Sequence, residues 1–137
     1  MIKSWLGHLQ LNIDPKNVVF YKEIFKVLGW SVLYEDDSVV GVGDKNKTSL
    51  WFMPGIKTGK NDYDNPGMNH LALAVSAQAD VDSMVAYLGA HGVDCLFDTP
   101  RHRPDFAEDS SQTYYQVMFE SPDRILFEVV YTGPVDK

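Results

Sequence analysis

Residues 113–133 have the sequence TYYQVMFESPDRILFEVVYTG, which is typical of two β-strands joined by a tight turn. Aromatic and β-branched residues dominate both halves, and Ser121–Arg124 separates them. Glu128 is the exception, because it stands between Phe127 and Val129 in a run typical of a strand buried on both faces. Burying an ionised carboxylate is costly unless a positive group compensates it. Glu128 is therefore paired with Lys or Arg, turned towards solvent, or part of a functional site.

The N-terminal part of the chain predicts a β-α-β-β-β unit. Leu9, Leu11 and Ile13 alternate with polar residues, which indicates a strand whose polar face carries His8 and Gln10. Asp14-Pro15 is a helix start and Gly29 a helix end, and the apolar stripe between them is predicted at Phe20, Ile24, Val27 and Leu28. Three short strands are predicted next, at 30–34, 39–42 and 49–53.

The same order of elements is predicted again after a stretch rich in Gly, Pro, Asn and Asp, residues 54–67. A strand at 68–76 carries His70 on the face opposite Leu71, Leu73 and Val75. A helix at 80–90 follows, with Val81, Val85 and Leu88 on its inner stripe and Gly92 at its end. A strand at 93–97, a long polar loop at 99–111 and the two strands of residues 113–133 complete this second unit.

The two units are an internal repeat. His8 precedes the helix-ending Gly29 by 21 positions, and His70 precedes Gly92 by 22. The fold class predicted from this repeat is α+β, with two β-α-β-β-β modules forming a curved eight-stranded mixed sheet around a concave site. We expect one domain at 4–132, with module 1 at about 4–53, a linker at 54–67 and module 2 at about 68–132. The helices would cover the outside, so that both histidines face the concave side.

Composition limits the possible partners and the compartment. The chain has 137 residues, of which 45% are hydrophobic and 23% charged, as in an ordinary soluble globular protein. A net charge of −7 argues against nucleic acid or an anionic membrane as a partner and is compatible with a cationic ligand. Cys95 is the one cysteine, the N-terminal residues do not resemble a signal peptide, and no run is typical of a membrane span. We therefore expect a cytoplasmic protein.

Several stretches resemble the vicinal oxygen chelate superfamily of glyoxalases, bleomycin-resistance proteins, fosfomycin-resistance enzymes and extradiol dioxygenases. These are GHLQLNID (7–14) with FYKEIFKVLGW (20–30), MNHLALAVS (68–76) with AHGV (90–93), and the hairpin YYQVMFESPDRILFEVV (114–130). The similarity covers about residues 4–132. One departure is the turn, where the family usually has Asp-Pro-Asp-Gly and this chain has Ser121–Arg124. Losing the glycine is expected to change the turn geometry and not the chemistry.

The resemblance implies a metal site. In metal-using members, histidines at the positions of His8 and His70 and a glutamate at that of Glu128 hold one divalent ion, with Zn, Ni, Mn and Fe all compatible. Two neutral imidazoles and a carboxylate leave coordination positions open for two substrate oxygens. The ion would also be the charge that compensates Glu128, which is the predicted catalytic residue. For each histidine alone, a surface or hydrogen-bonded role is the alternative.

A fourth ligand is not predicted. Glyoxalase-type members usually carry another carboxylate in the last strand of module 1, but repeat symmetry sets Trp51 opposite Glu128. No Asp or Glu occurs between Asp44 and Asp62. A tryptophan cannot bind the ion, so Trp51 is predicted either to wall the substrate pocket or to fill core.

Other residues are expected near the pocket. Gln10 lies on the polar face of the first strand, and Tyr114 shares the more polar face of its strand, unlike Tyr115. The predicted substrate pocket therefore includes Trp51, Tyr114 and Gln10. The basic run Arg101–Arg103 could contact an anionic substrate, cover the pocket or be a solvated loop tip.

The predicted function is a glyoxalase-like, metal-dependent enzyme. It would chelate a small substrate through adjacent oxygens on the ion and stabilise an enolate- or alkoxide-like intermediate, as a lyase or isomerase, a transferase or a dioxygenase. One alternative is a metal-free binding protein of the bleomycin-resistance type that sequesters a small molecule, and another is a degenerate domain used for assembly. The linker lets modules pair within a chain or between chains, and open strand edges favour a homodimer.

Overall fold

The computed structural model describes residues 1–136 and divides the chain into two compact units. The first is Met1–Gly59, and the second begins at Lys60. Each unit has the order β-α-β-β-β, so the predicted repeat, the eight strands and the α+β class are confirmed. The strands form two four-stranded mixed sheets, one in each unit. Among the helices of residues 1–136, none combines the length and apolarity needed to cross a membrane.

The first unit contains one helix and four strands. They are β1 (His8–Ile13), α1 (Val18–Val27), β2 (Ser31–Glu35), β3 (Val40–Gly43) and β4 (Ser49–Pro54), with a short 3-10 turn at Pro15–Asn17. The sheet order is β1-β4-β3-β2, and β1 pairs with β4 in parallel. Asp14 caps the 3-10 turn by accepting the N–H of Lys16 at 3.1 Å. The turn delays the start of α1 relative to the sequence prediction.

The buried face of α1 differs from the predicted stripe. Its members are Val18, Tyr21, Ile24 and Phe25, whereas Val27 is exposed and Phe20 and Leu28 are half-buried. The reason is aromatic packing on the sheet, because the Tyr21 ring stacks on Phe52 of β4 at 4.3 Å between centroids. Phe25 also contacts Phe52, at 5.5 Å. Of the predicted stripe, Ile24 is the residue that is fully buried.

The second unit repeats this architecture. Its elements are β5 (Leu71–Ala74), α2 (Gln78–Ala90), β6 (Leu96–His102), β7 (Gln112–Glu120) and β8 (Leu126–Pro134), with a 3-10 turn at Pro104–Phe106. The sheet order is β5-β8-β7-β6, and β5 pairs with β8 in parallel. The buried residues of α2 are Val81, Met84 and Leu88, while Val85 is half-buried.

Two strand predictions in the second unit are corrected. The region predicted as a polar loop from Thr99 begins as strand, because β6 continues to His102. This strand is irregular between Leu96 and Arg101, where Phe97 and Asp98 have left-handed φ values of 57° and 58°. His70 precedes β5 instead of lying within a strand. The irregularity in β6 is a bulge, and a bulge redirects side chains on the bent strand. Phe97 lies within this bulge.

The strand registers of the two units match. In the first unit Gln10 of β1 is paired with Trp51 of β4, and in the second Ala72 of β5 is paired with Glu128 of β8. His8 and His70 each lie two positions before the paired residue of the first strand. Trp51 therefore has in the first sheet the register position that Glu128 has in the second.

Candidate active site

Glu128 is the third residue of β8 and is only 2% exposed. Its neighbours Phe127 and Val129 are also buried, which agrees with a strand covered on both faces. Both carboxylate oxygens have partners. Oε1 accepts a hydrogen bond from the Tyr114 hydroxyl, and Oε2 lies 3.0 Å from Nε2 of His70. Glu128 is thus engaged by a tyrosine and a histidine, and it does not face solvent.

The orientation of His70 is set by the residue before it. Nδ1 of His70 lies 2.8 Å from the side-chain oxygen of Asn69, and the Asn69 amide nitrogen donates to the Tyr63 carbonyl at 3.1 Å. Because this second bond uses the amide nitrogen, the Asn69 oxygen is the atom that faces His70. An oxygen can only accept, so Nδ1 carries the proton of that hydrogen bond.

The proton on Nδ1 determines what the other ring nitrogen of His70, Nε2, can bind. With the proton on Nδ1, a neutral His70 has a lone pair on Nε2, only 3.0 Å from the Glu128 carboxylate. Two lone pairs at that distance repel each other. The contact becomes attractive when a proton, carried by either group, or a metal ion lies between the two atoms.

The two donor atoms fit adjacent positions around a divalent ion. Ligand atoms about 2.1 Å from an ion, in directions at right angles, are about 3.0 Å apart. The Nε2–Oε2 separation of 3.0 Å matches this spacing. Asn69 and Tyr114 act on the far sides of the imidazole and the carboxylate, where partners that orient metal ligands are commonly found.

Tyr114 is held as a hydrogen-bond donor. Burial, followed by the hydrogen bond to Glu128, raises the pKa of the Tyr114 hydroxyl well above its ordinary value. The rings of Phe106 and Tyr114 pack edge to face, with their centroids 5.4 Å apart. Tyr115, on the opposite strand face, instead donates to Asp82 of α2 at 2.6 Å.

A cavity of about 790 Å³ adjoins this group within the second unit. Its walls add Phe97, Arg103, Phe106, Gln116 and Met118 to the residues described above. Of the basic run noted in the sequence, Arg103 borders this cavity while Arg101 and His102 are exposed. The sequence identified the basic run but did not indicate that Arg103 is the residue that borders a cavity. The bulge in β6 that precedes Arg103 contains no glycine that would have predicted it.

The remaining predicted site residues lie in the first unit. His8 and Gln10 are exposed on β1, and Gln10 contacts the Asn12 side chain at 3.4 Å. Trp51 is half-buried, and its ring lies over Gly41 of β3, where an added methyl group would collide with it. Across residues 1–136, no three His, Cys, Asp or Glu side chains gather as a metal-holding group. His8 as the third ligand stays a prediction.

Comparison with known proteins bears on the fold. No family model matches the sequence, and no curated protein matches it. Among solved structures, a Bacillus halodurans protein provisionally named a glyoxalase has a TM-score of 0.75 and 24% identity, over 92% of this chain and 94% of that one. The Listeria monocytogenes fosfomycin resistance protein FosX, solved with Mn(II) and sulfate, has 0.64 and 17%, over 95% and 91%.

A lactoylglutathione lyase from Agrobacterium tumefaciens is similar to the same extent, with a TM-score of 0.65 and 17% identity over 94% of both chains. The expected fold is confirmed, because the solved structures similar to this chain include proteins named as glyoxalase, bleomycin-resistance and dioxygenase domains. Identities this low show a shared fold, and a fold alone does not assign a reaction.

Proposed function

We propose, from the fold shared with glyoxalases and FosX, that this chain is a metal-dependent enzyme acting on a small molecule. The observation that carries the proposal is the contact between Nε2 of His70 and Oε2 of Glu128. With Nδ1 engaged by Asn69, this contact needs a proton or a cation between the two atoms, and a divalent ion would fill that place.

The donor set of the second unit would hold one side of the ion. His70 Nε2 and Glu128 Oε2 are two ligands, and His8 is the predicted third. When bound, the ion would act as a Lewis acid on two adjacent substrate oxygens. Glu128 is the predicted catalytic carboxylate, and Tyr114 fixes its orientation by donating to Oε1. Phe97, Phe106 and Met118 would exclude water from the substrate side.

Metal content and metal affinity test the proposal. Protein purified without chelators should contain one Mn, Fe, Ni or Zn per chain by elemental analysis. Chelator-treated protein should rebind such an ion in calorimetric titration, and Glu128→Gln or His70→Ala should weaken binding at least about 100-fold. His8→Ala should do the same, because His8 is the predicted third ligand.

Matched substitutions separate this site from general charge effects. Glu108→Gln removes an exposed carboxylate and His91→Ala an exposed imidazole, and both should leave the affinity unchanged. Wild-type affinity in Glu128→Gln or His70→Ala would contradict the metal site and, with it, the metalloenzyme.

A metal-free binding protein is the second candidate. A doubly protonated His70 would satisfy the same contacts with Asn69 and Glu128 that an ion would. The aromatic walls of the cavity suit the capture of a small molecule. This candidate would be favoured if chelator-treated protein bound a small molecule as tightly as untreated protein and had no tight metal site.

A further inference from the structure

Arg103 is held in one position on the cavity wall. Its Nε and Nη2 donate to the two carboxylate oxygens of Asp105, at 3.1 and 2.8 Å. Nη1 donates to the side-chain oxygen of Gln116 at 3.4 Å. The face of the guanidinium lies 4.3 Å from the centre of the Phe106 ring. The N–H edge of the guanidinium is therefore held by Asp105 and Gln116, and its flat face by Phe106. A side chain held in this way loses little rotamer entropy when a ligand binds.

The guanidinium keeps unused hydrogen-bond donors. It carries five N–H groups, and the contacts to Asp105 and Gln116 engage three of them. One N–H therefore remains on each terminal nitrogen. A pair of this kind matches the two oxygens of a carboxylate. The hydrogen bonds from Arg103 lower the pKa of Asp105, so this partner stays ionised and keeps the fork in place.

The acidic groups beside the cavity are already engaged. Asp64 accepts a hydrogen bond from Arg124 at 3.1 Å, and both oxygens of Glu128 have partners. An ion at His70 and Glu128 would further offset the negative charge there. An anionic group at Arg103 would thus meet a cation with available donors, and the nearby carboxylates would be compensated.

The rest of the wall is apolar. Phe97 and Phe106 are aromatic, yet they are 56% and 57% exposed, and both border the cavity. Met118 and Leu126 add aliphatic surface. Aromatic and aliphatic walls with a few fixed polar groups are typical of sites for small organic ligands.

We propose that this cavity binds a small organic acid with a flat apolar body, whose carboxylate is bound by Arg103. The apolar body lies between Phe97 and Phe106, and the opposite end faces His70 and Glu128. The inference rests on the proposed function and deepens it by naming the substrate class. It also assigns Arg103 as a substrate-binding residue.

Phenylacetate and its neutral amide, phenylacetamide, are suitable probes, because they differ in charge and hardly in shape. The full-length protein, loaded with Zn²⁺, is titrated with each in a calorimeter. Wild type should bind phenylacetate saturably and phenylacetamide at least about tenfold more weakly. Arg103→Gln should lose about tenfold or more for phenylacetate only, and Arg103→Lys should fall between, because it keeps the charge and loses the fork.

Arg101→Gln is the matched control, since it removes an exposed arginine two residues before Arg103 and should bind phenylacetate like wild type. Thermal melts of each variant check that the fold is intact. The inference is overturned if wild type does not bind phenylacetate saturably, or if it binds the amide equally well. It is also overturned if Arg103→Gln binds like wild type, because the probe would then lie on the ion or elsewhere.

Repeating the titrations on chelator-treated protein separates the two proposals. Arg103-dependent binding of phenylacetate without any tight Zn²⁺ site would support the acid site and reject the metalloenzyme. Tight Zn²⁺ binding that needs Glu128, with phenylacetate binding independent of Arg103, would reject the acid site alone.

Discussion

The guanidinium of Arg124 lies 4.3 Å from the centre of the Tyr63 ring, which joins the turn between β7 and β8 to the segment before β5. Arg124 also donates to Asp62 and Asp64, each at 3.1 Å, and the Tyr63 hydroxyl donates to Glu120. We call this group, Asp62–Asp64 with Glu120 and Arg124, the clasp. It fixes the chain a few residues before His70.

Arg124 also has a left-handed backbone, with φ at 59°. This is the turn position where the resembled family usually has glycine, and the arginine keeps a conformation that favours glycine. Two effects of a substitution are thereby separable. Arg124→Gly loses the clasp and relaxes the backbone, whereas Arg124→Ala loses the clasp and keeps the strain.

We predict that the melting temperature falls in the order wild type, Arg124→Gly, Arg124→Ala, with a few degrees between the two variants. Calorimetric melts of the three proteins measure this order. If Arg124→Ala melted at or above Arg124→Gly, the backbone would not be strained there. If both variants had the melting temperature of wild type, the clasp would not stabilise the fold.

Asn69 should control metal affinity without touching the ion. Asn69→Ala removes the acceptor at Nδ1 of His70 and the bond to Tyr63, so the imidazole is free to turn. We expect metal binding to weaken about 10- to 100-fold, as for other partners of metal-binding histidines. Asn65→Ala, at an exposed asparagine bonded to Asp62, is the control and should bind metal like wild type. Equal affinities in all three proteins would contradict the orienting role.

Tyr115 should make folding stability depend on pH in the alkaline range. Burial, followed by the hydrogen bond to Asp82, raises the pKa of Tyr115 to about 12, above the value near 10 of an unfolded chain. The protonated form therefore stabilises the fold fully below about pH 10, and that stabilisation is lost as the pH rises towards 12. Urea unfolding of wild type and Tyr115→Phe should differ more at pH 8 than at pH 11.

Asp82→Asn provides the complementary measurement, since it removes the charge that disfavours Tyr115 ionisation while keeping an acceptor. Its stability should vary less than that of wild type between pH 8 and pH 11. A difference between wild type and Tyr115→Phe that stayed constant across this range would exclude the coupling.

Much of the fold was predictable because its signals are local. Alternation from Leu9 to Ile13 identified β1, and Gly29 and Gly92 marked the ends of the helices. The carboxylate of Glu128 stood out because a charge within a β-branched and aromatic run violates binary patterning. The face of α1 was less predictable, since the contacts of Tyr21 and Phe25 with Phe52 depend on tertiary packing.

The residues that line the cavity could not be predicted from the sequence, and the reason lies in the backbone conformation. Phe97, Asp98 and Arg124 all have left-handed φ values although none is a glycine. The sequence therefore carries no sign of the bulge before Arg103. It predicts the turn at Ser121–Arg124 but not the left-handed backbone of Arg124 that accompanies its contact with Tyr63. Long-range contacts stabilise these conformations, and a local reading of the chain does not contain them.

Two glycines should respond oppositely to alanine. Nothing lies within 4 Å of a methyl group at Gly89 in α2, so Gly89→Ala should stabilise the protein by about 0.5–1 kcal/mol through its helix preference. At Gly41 the methyl would collide with the Trp51 ring, and Gly41→Ala should cost about 1–3 kcal/mol. In a Trp51→Ala background this cost should largely vanish in urea unfolding. A cost that persisted there would place the strain elsewhere.

The contact between Trp51 and Gly41 restricts how the first module could gain a carboxylate at the register position of Glu128. In the first sheet that position is paired with Gly41, and in the second Glu128 is paired with Met118. Replacing Trp51 alone would uncover Gly41 in a buried strand. Replacing Gly41 alone would make its new side chain collide with the indole. Each single change is thus expected to destabilise the sheet, and the two together to cost less than the sum of the single changes. In this chain the size of the side chain allowed at either of these two positions therefore depends on the residue at the other.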